Sequence, residues 1–256
     1  MIPEVKVDLT GGVLTLTLSR PDKKNALTNE MYGALADAIG RAETNTEIRV
    51  VLLQGDGDMF TAGNDVGEFA AQGSGDGPAE RHVVRFLKAL AHATVPIVAA
   101  VQGKAVGVGT TLLLHCDHVI LGEDAQLVTP FVNLALVPEA ASSLLLPARI
   151  GYVRAFSMFA LGEPLPAQAA LAWGLANSIV PVAQLHAQAR QIAETLAAKP
   201  RGALTATKRL MRDAETLSAQ MDREGAIFAQ RLASAEAREA FLAFAQKRKP
   251  DFSKVG

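Results

Sequence analysis

The sequence contains one cysteine and no surplus of positive charge, and these two absences exclude broad classes of protein. Cys116 alone cannot form a disulfide within the chain, and so low a cysteine content is typical of a reducing compartment. Lys and Arg total 25 against 26 Asp and Glu, which gives a net charge of -1. A nucleic-acid binder neutralises phosphates with a basic surplus, so we expect no nucleic-acid partner.

Long apolar runs are also missing from the sequence. No run reaches the roughly 18 residues that a membrane span needs, so we expect no membrane partner. The first residues, MIPEVKVDL, lack the basic and then apolar layout of a signal peptide. The last residues, FSKVG, are neither a peroxisomal signal nor a prenylation box. These features together predict a cytoplasmic protein.

The apolar content is high enough to build a large core. Hydrophobic residues make up 49% of the chain and charged residues 20%, which excludes a disordered protein. The chain is about 1.7 times as long as a typical domain of ~150 residues. We predict a core over residues 1–198 and a helical region over residues 199–256, because Lys199-Pro200-Arg201-Gly202 interrupts the helical pattern between them.

Strand and helix patterns alternate through the first half of the chain. Val5–Leu9 and Val13–Leu18 alternate apolar and polar residues around a Gly-Gly turn, which predicts a β-hairpin. Continuous apolar runs at residues 48–53 and 96–101 are typical of strands that are buried on both faces. We therefore predict an α/β fold with parallel strands. After Ala148 the pattern is wholly helical.

Several standard catalytic and metal-binding motifs are absent. The sequence contains no P-loop, no HExxH, no CxxC and no GxSxG motif. Residues 115–118 read His-Cys-Asp-His, and all four side chains could in principle bind a metal. Because the four residues are consecutive, a helix or a strand would point their side chains in different directions. We therefore expect no metal site.

Two glycine-containing segments, residues 60–66 and 103–109, each follow a predicted strand. Open α/β folds bind ligands at this end of their strands. The second segment runs into a predicted helix, whose first N–H groups favour a developing negative charge. Two such N–H groups that converge on one carbonyl oxygen would form an oxyanion hole. The residues alone leave open the alternative of two tight turns that bind no ligand.

Five short motifs occur in order along the chain: Ala62-Gly63-Asn64-Asp65-Val66, Gly107-Val108-Gly109, Cys116-Asp117, Pro130 and Gly174-Leu175-Ala176. Their order and spacing resemble the crotonase superfamily, the enoyl-CoA hydratase/isomerase family. The resemblance implies a spiral of ββα units with a helical C-terminal region. It also implies a homotrimer or a dimer of trimers, and an acyl-CoA thioester substrate. Coenzyme A would arrive as part of that substrate, and no other cofactor is implied.

The same resemblance assigns roles to individual residues. The backbone N–H groups of Asn64 and Val108 would form the oxyanion hole, where the N–H group matters and the side chain can vary. A hydratase of this family would carry glutamates at positions 111 and 131, but this chain has Thr111 and Phe131 there. Ordinary hydration then lacks the groups that would orient water and move its proton.

Glu139 is the replacement acid. The segments at residues 129–134 and 138–143 resemble the peroxisomal-type Δ3,Δ2-enoyl-CoA isomerases, in which the glutamate after this second proline is the catalytic base. Apolar residues flank Glu139, so its carboxylate should be desolvated and its pKa raised. Without the resemblance, the same residue is more typical of an exposed acid at the start of a helix.

Further contacts with the substrate are implied by the resemblance. Lys24 and Ala26 match positions near the CoA adenine, and Phe228 and Lys247 match C-terminal positions that reach CoA, sometimes across a subunit boundary. The loop at residues 70–79 is expected to line the pocket. The remaining predicted contacts lie in or beside the motifs already named: Ala62, Asp65, Val66, Phe131 and Leu134. Asp65 is also typical of an acid with a structural role.

The sequence leaves three functions open. The first is the Δ3,Δ2-enoyl-CoA isomerase. The second is another crotonase reaction, such as hydration, dienoyl-CoA isomerisation or a thioester-assisted displacement. The third is a non-catalytic acyl-CoA-binding relative, although such a protein has no reason to keep an acid at Glu139.

Overall fold

The computed structural model describes residues 2–68 and 80–255. The loop predicted at residues 70–79 lies outside the described residues. Within the described part of the chain, no helix is both long enough and apolar enough to cross a membrane.

The larger of two sheets has six strands in the order β1-β2-β3-β4-β6-β9. The predicted hairpin is confirmed, since β1 and β2 pair antiparallel, and the other neighbours in this sheet pair parallel. Its strands are β1 Val5–Thr10, β2 Val13–Leu18, β3 Val50–Gly55, β4 Ile97–Val101, β6 His118–Gly122 and β9 Ser178–Val180.

The smaller sheet has three strands in the order β5-β7-β8. They are β5 Lys104–Val106, β7 Gln126–Val128 and β8 Leu165–Pro166, with β5 and β7 parallel and β8 antiparallel to β7. Two consecutive pairs, β4-β5 and β6-β7, each place one strand in the large sheet and the next in the small one. This repeat is the spiral of ββα units that the resemblance implies.

The prediction of a wholly helical chain after Ala148 is wrong in two places. β8 has two residues and β9 has three, so neither is long enough to show the alternation of a strand. They form because β7 and β6 offer them free edges. The helix predicted after Gly103–Gly109 is also shorter than expected, with one α-turn followed by a 3-10 turn at Leu112–His115.

The remaining elements are helices, and Thr28 caps the first of them by accepting a hydrogen bond of 3.2 Å from the Met31 N–H group. Short 3-10 turns lie at Pro21–Lys23, Val132–Leu134, Val182–Gln184 and Phe252–Lys254. The α-helices are α1 Asn29–Thr44, α2 His82–His92, α3 Val108–Thr111, α4 Ser142–Ile150, α5 Tyr152–Leu161, α6 Ala167–Ala172, α7 Leu185–Ala197, α8 Arg201–Met211, α9 Ala214–Leu232 and α10 Ala235–Ala245.

The central strands of the large sheet are buried on both faces, which explains their continuous apolar runs. In β3, Val51 and Leu53 belong to the main core with helices α1 and α2. Their neighbours Val50 and Leu52 point to the opposite face, where they pack with α7. The main core therefore lies between the sheet and the helices that carry the candidate site.

Deleting residues 200–256 is expected to give an unfolded or aggregated protein. Leu217 and Met221 of α9 are buried in the main core, while Leu210 and Met211 are 89% and 82% exposed, an apolar patch typical of an interface. Sedimentation velocity and circular dichroism test this expectation. A soluble monomer with a native spectrum would contradict it. The trimer itself and the domain boundary near residue 199 stay predictions.

Candidate active site

The segment at residues 24–27 runs alongside the segment at residues 62–65. The Ala62 N–H group donates to the Lys24 carbonyl at 2.9 Å, and the Asp65 N–H group donates to the Leu27 carbonyl at 2.9 Å. The Leu27 N–H group in turn donates to the Gly63 carbonyl at 2.8 Å. The predicted site residues at positions 24–27 and 62–65 are distant in the sequence but therefore lie on adjacent segments of the chain.

The two predicted oxyanion donors occupy equivalent positions on another pair of adjacent segments. Thr61 forms a parallel bridge with Ala105, and Asn64 and Val108 each follow three residues later. Within residues 2–68 and 80–255, neither of their backbone N–H groups donates a hydrogen bond. Val108 is the first residue of α3, where a free N–H group and the helix dipole favour negative charge.

Two glycines allow these segments to approach each other. Gly63 has a φ of +87°, and a Cβ atom there would lie 2.7 Å from the Val106 carbonyl oxygen. A Cβ atom on Gly109 would lie 2.4 Å from Cγ2 of Thr61. Any larger residue would push the two segments apart, so the glycines are required by the close approach itself.

Glu139 lies in the loop before α4, and its two carboxylate oxygens have different surroundings. Oε1 accepts a hydrogen bond of 2.5 Å from the Thr111 hydroxyl. Oε2 is inaccessible to solvent and has no partner among the described residues. Burial raises the pKa of Glu139 to about 7, the negative charge of Glu224 adds to the rise, and the Thr111 hydrogen bond opposes it. The residue can therefore exchange a proton near neutral pH.

Glu139 and Asn64 line one cavity of about 300 Å³. The side chain of Val108 belongs to the main core, which agrees with a role for its backbone alone. The rest of the wall is mainly apolar, which suits an acyl chain. Its apolar residues come from Leu27 and from helices α1, α2 and α9: Leu27, Tyr32, Val83, Val84, Leu87, Met221 and Phe228.

Other acids at the cavity are engaged by donors. Asp65 accepts a hydrogen bond of 2.7 Å from the Arg20 guanidinium, and Asp222 pairs with Lys88 at 2.9 Å. Burial is the largest single effect on Asp65 and opposes its ionisation, but the hydrogen bond and charge of Arg20, together with the backbone N–H groups of Gly67 and Glu68, lower its pKa. Glu68 accepts a backbone N–H group at 2.7 Å. None of these three acids has a buried oxygen without a partner, whereas Glu139 has one in Oε2.

Of the nine predicted substrate contacts, Asp65 and Phe228 line the cavity, and the other seven are not among its lining residues: Lys24, Ala26, Ala62, Val66, Phe131, Leu134 and Lys247. Phe131 and Leu134 pack in a separate apolar cluster, which touches the cavity through Phe228. Val66 is 43% exposed beside the cavity, and Lys247 is exposed beyond the end of α10. Side chains at positions 131 and 134 turn inward because the 3-10 turn at Val132–Leu134 folds them against α5 and α10.

Tyr32 is a site residue that the sequence analysis missed. Its hydroxyl donates a hydrogen bond of 2.5 Å to Oδ1 of Asn64 at the cavity. Burial raises its pKa well above the ordinary value, and the charges of Glu139 and Glu68 raise it further. In the sequence, Tyr32 lies on the apolar stripe of α1 and is indistinguishable from a core residue.

The segment at residues 115–118 has structural partners. His115 is fully buried between the Ala140 carbonyl and Arg212, and burial lowers its pKa to about 3. Asp117 pairs with Lys208 at 2.6 Å, and burial raises the pKa of Cys116 to about 12. Among the described residues, no three metal-binding side chains form a cluster.

Asn64, whose N–H group is free, and the buried carboxylate of Glu139 line the same largely apolar cavity. The free N–H group of Val108 occupies the equivalent position on the neighbouring segment. A sequence model of the Enoyl-CoA hydratase/isomerase family matches residues 8–255. The chain belongs to this family. It is therefore an acyl-CoA enzyme of crotonase type, and its fold is the crotonase fold.

Individual relatives agree with this assignment. A 1,2-epoxyphenylacetyl-CoA isomerase of Escherichia coli K12 is 37% identical over 94% of this chain and 95% of its own length. An enoyl-CoA delta isomerase 2 of Rattus norvegicus is 32% identical over 95% of this chain and 64% of its own length. A crystal structure of an enoyl-CoA hydratase/isomerase from Pseudoalteromonas atlantica T6c superposes with a TM-score of 0.92, at 45% identity over 97% of this enzyme and 99% of the other chain. Names among the relatives include both hydratases and isomerases.

Proposed function

We propose that this enzyme is a Δ3,Δ2-enoyl-CoA isomerase with Glu139 as its single base. One observation carries the proposal: Oε2 of Glu139 is buried, unpartnered and adjacent to the same cavity as Asn64, while Thr111 holds the other oxygen. A carboxylate with one oxygen held and the other available can take a proton from one carbon and return it to another.

The reaction follows from this arrangement. The thioester carbonyl oxygen accepts hydrogen bonds from the N–H groups of Asn64 and Val108, which stabilise the enolate and so acidify the α-carbon. Glu139 removes an α-proton from a 3-enoyl-CoA, and the electron pair delocalises over the dienolate. The protonated carboxyl then returns the proton to the γ-carbon. The double bond moves into conjugation as a trans-2-enoyl-CoA, and no electrons are gained or lost.

Position 111 supports isomerisation over hydration. A hydratase of this type needs a second carboxylate to handle water, and this enzyme has a threonine there whose hydroxyl donates to Glu139. The hydroxyl holds the base in place and takes no proton at neutral pH. Thr111 therefore occupies the position of the second acid and positions Glu139 instead of handling water.

The proposal for CoA binding rests on Lys24 and its neighbours. Lys24 is exposed and pairs with Asp58 at 2.8 Å beside Ala26 and Ala62. A CoA phosphate would replace the exposed carboxylate as the partner of this lysine. The contact from Lys247, in this family sometimes made across a subunit boundary, is proposed to come from a trimer.

The experiment that tests the function is an assay with three substrates. Purified enzyme is given 3-hexenoyl-CoA, trans-2-hexenoyl-CoA and 1,2-epoxyphenylacetyl-CoA, and products are separated by chromatography. We expect the first to be converted to trans-2-hexenoyl-CoA, and the second to remain unhydrated. Turnover of the second or third compound without turnover of the first would contradict the proposal.

The pH dependence of kcat/KM should report the base. Glu139 must be ionised to act, and its pKa is raised to about 7, so kcat/KM for 3-hexenoyl-CoA should rise up to about pH 7 and level off above it. The measurement runs from about pH 3.5 to pH 9 at constant ionic strength, with thermal melts across the same range as the control. An acid limb centred near pH 4.5, the ordinary value for Glu, would mean that another group limits the rate.

A further inference from the structure

The loop that carries Glu139 continues into an unusual pair of residues. Ala140 and Ala141 have φ angles of 61° and 54°, so two consecutive alanines are left-handed. The Cβ atom disfavours this conformation in any residue other than glycine. Such a pair persists only where the surrounding structure fixes it. The contacts that fix it here come from two different parts of the chain.

Glu224 of α9 holds the second alanine. Its carboxylate accepts the Ala141 N–H group at 2.6 Å, the Ser143 N–H group at 3.0 Å and the Ser143 hydroxyl. Gln220, one turn earlier on α9, donates to the same hydroxyl oxygen at 2.9 Å. Because Ala141 has no side-chain oxygen with which to cap α4, Glu224 caps this helix from outside. Glu224 is only 5% exposed.

His115 holds the first alanine from the other side. Its Nδ1 accepts a hydrogen bond from the Arg212 guanidinium, which leaves the ring proton on Nε2. Nε2 then donates to the Ala140 carbonyl at 2.7 Å. Arg212 also donates to the His115 carbonyl at 2.9 Å, so the imidazole is fixed at both its backbone and its ring.

Both sets of contacts lead back to the reacting atoms. His115 ends the segment that begins with the N–H group of Val108 and includes Thr111, the donor to Glu139. Glu224 lies on the helix whose Met221 and Phe228 line the cavity. The loop with the glutamate is thus held between the oxyanion segment and the wall of the acyl cavity.

We propose that Glu224 and His115 are positioning residues, which hold the two left-handed alanines so that Oε2 of Glu139 stays aimed at the substrate. The inference rests on the proposed function, in which Glu139 is the base. It also assigns the C-terminal helices a part in catalysis, beyond any role in assembly.

The first test replaces Glu224 with Gln. The amide has nearly the same shape, but its NH2 group must face a backbone N–H donor, so one of the held groups is lost. A base displaced by a fraction of an ångström loses rate and not affinity, so kcat for 3-hexenoyl-CoA should fall at least about tenfold while KM changes less than about threefold. Glu215→Gln, on the exposed part of α9, makes the same chemical change and should leave both constants unaltered.

If Glu224→Gln alone does not fold, the double variant Ala141→Gly with Glu224→Gln is measured in its place. Glycine adopts the left-handed conformation without a Cβ penalty, so the loop can keep its backbone conformation without the hydrogen bonds from Glu224. We expect the same loss of kcat, because glycine restores the fold and not the aim of the carboxylate. A kcat within about threefold of the wild type, or a loss expressed only in KM, would overturn the proposal.

The second test compares His115→Gln with His115→Leu. Leucine removes both ring nitrogens, whereas the glutamine amide can donate to the Ala140 carbonyl in place of Nε2 and has an oxygen that can accept from Arg212. We expect kcat of the glutamine variant to exceed that of the leucine variant by at least about tenfold, at equal KM. Equal kcat values in the two variants would remove His115 from the proposal.

The same variants distinguish failure of the proposed isomerase function from failure of the positioning roles. If Glu139→Gln turns over 3-hexenoyl-CoA at the wild-type rate, the proposed function fails and the positioning roles fail with it. If Glu139→Gln is inactive while Glu224→Gln keeps its kcat, the function stands and the positioning role of Glu224 is overturned.

Discussion

Replacing Glu139 with Gln is expected to lower kcat for 3-hexenoyl-CoA by a factor of roughly 10² to 10⁴, the usual contribution of a general base. Glutamine has the shape of the glutamate and can still accept the hydrogen bond from Thr111, but it cannot take a proton. Binding of CoA should be unchanged, because the carboxylate faces the acyl cavity. Stopped-flow absorbance at the band of the conjugated thioester measures the rate, and calorimetry measures the affinity for CoA.

A companion variant separates proton transfer from packing. Glu139→Asp keeps the carboxylate but withdraws it by one methylene group, so its activity should lie between those of the wild type and Glu139→Gln. Exchange of the α-proton with deuterated water, followed by mass spectrometry, should disappear in the glutamine variant. Exchange at the wild-type rate in that variant would show that a different group removes the proton, and Glu139 would lose its assigned role.

The parts of the fold that depend on local pattern are predictable from the sequence. The hairpin of β1 and β2 and the buried strands β3 and β4 follow from alternation and from continuous apolar runs. The two glycine segments are also located by the sequence, because each follows a predicted strand. The structure explains the glycines, since a Cβ atom on Gly63 or Gly109 would collide with the neighbouring segment. Their spacing indicates where backbone N–H groups remain free, but the chemistry came from the family resemblance.

The parts that depend on contacts between distant residues are not predictable in this way. Nothing in the sequence around Glu224 distinguishes it from the other acids of a surface helix, yet it is buried and accepts backbone N–H groups more than 80 residues away. Tyr32 is hidden in an apolar stripe for the same reason. Phe131 was predicted to contact substrate from its position in the family motif, while a 3-10 turn places it in another cluster.

Replacing Val108 with Pro should lower kcat by roughly 10² or more, the usual cost of one lost oxyanion donor. Proline has no N–H group, and Val108 is the first residue of α3, where proline is well tolerated in a helix. The variant therefore removes the donor while keeping the turn. Pre-steady-state turnover of 3-hexenoyl-CoA is the measurement, since the oxyanion donors act on the enolate and not on the CoA moiety.

Val108→Ala is the matched control, because the wild-type side chain is 2% exposed and both variants lose its packing. Alanine lacks both methyl groups of valine and should cost about 1.6 kcal/mol of stability, at ~0.8 kcal/mol per buried carbon, which a lower melting temperature would show. Its kcat should stay within about tenfold of the wild type because the N–H group persists. Asn64→Ala should be equally mild, even though Tyr32 loses its acceptor, since the backbone donor remains. A large loss in Asn64→Ala together with a harmless Val108→Pro would mean that side chains hold the thioester, and the mechanism would fail while the fold remained.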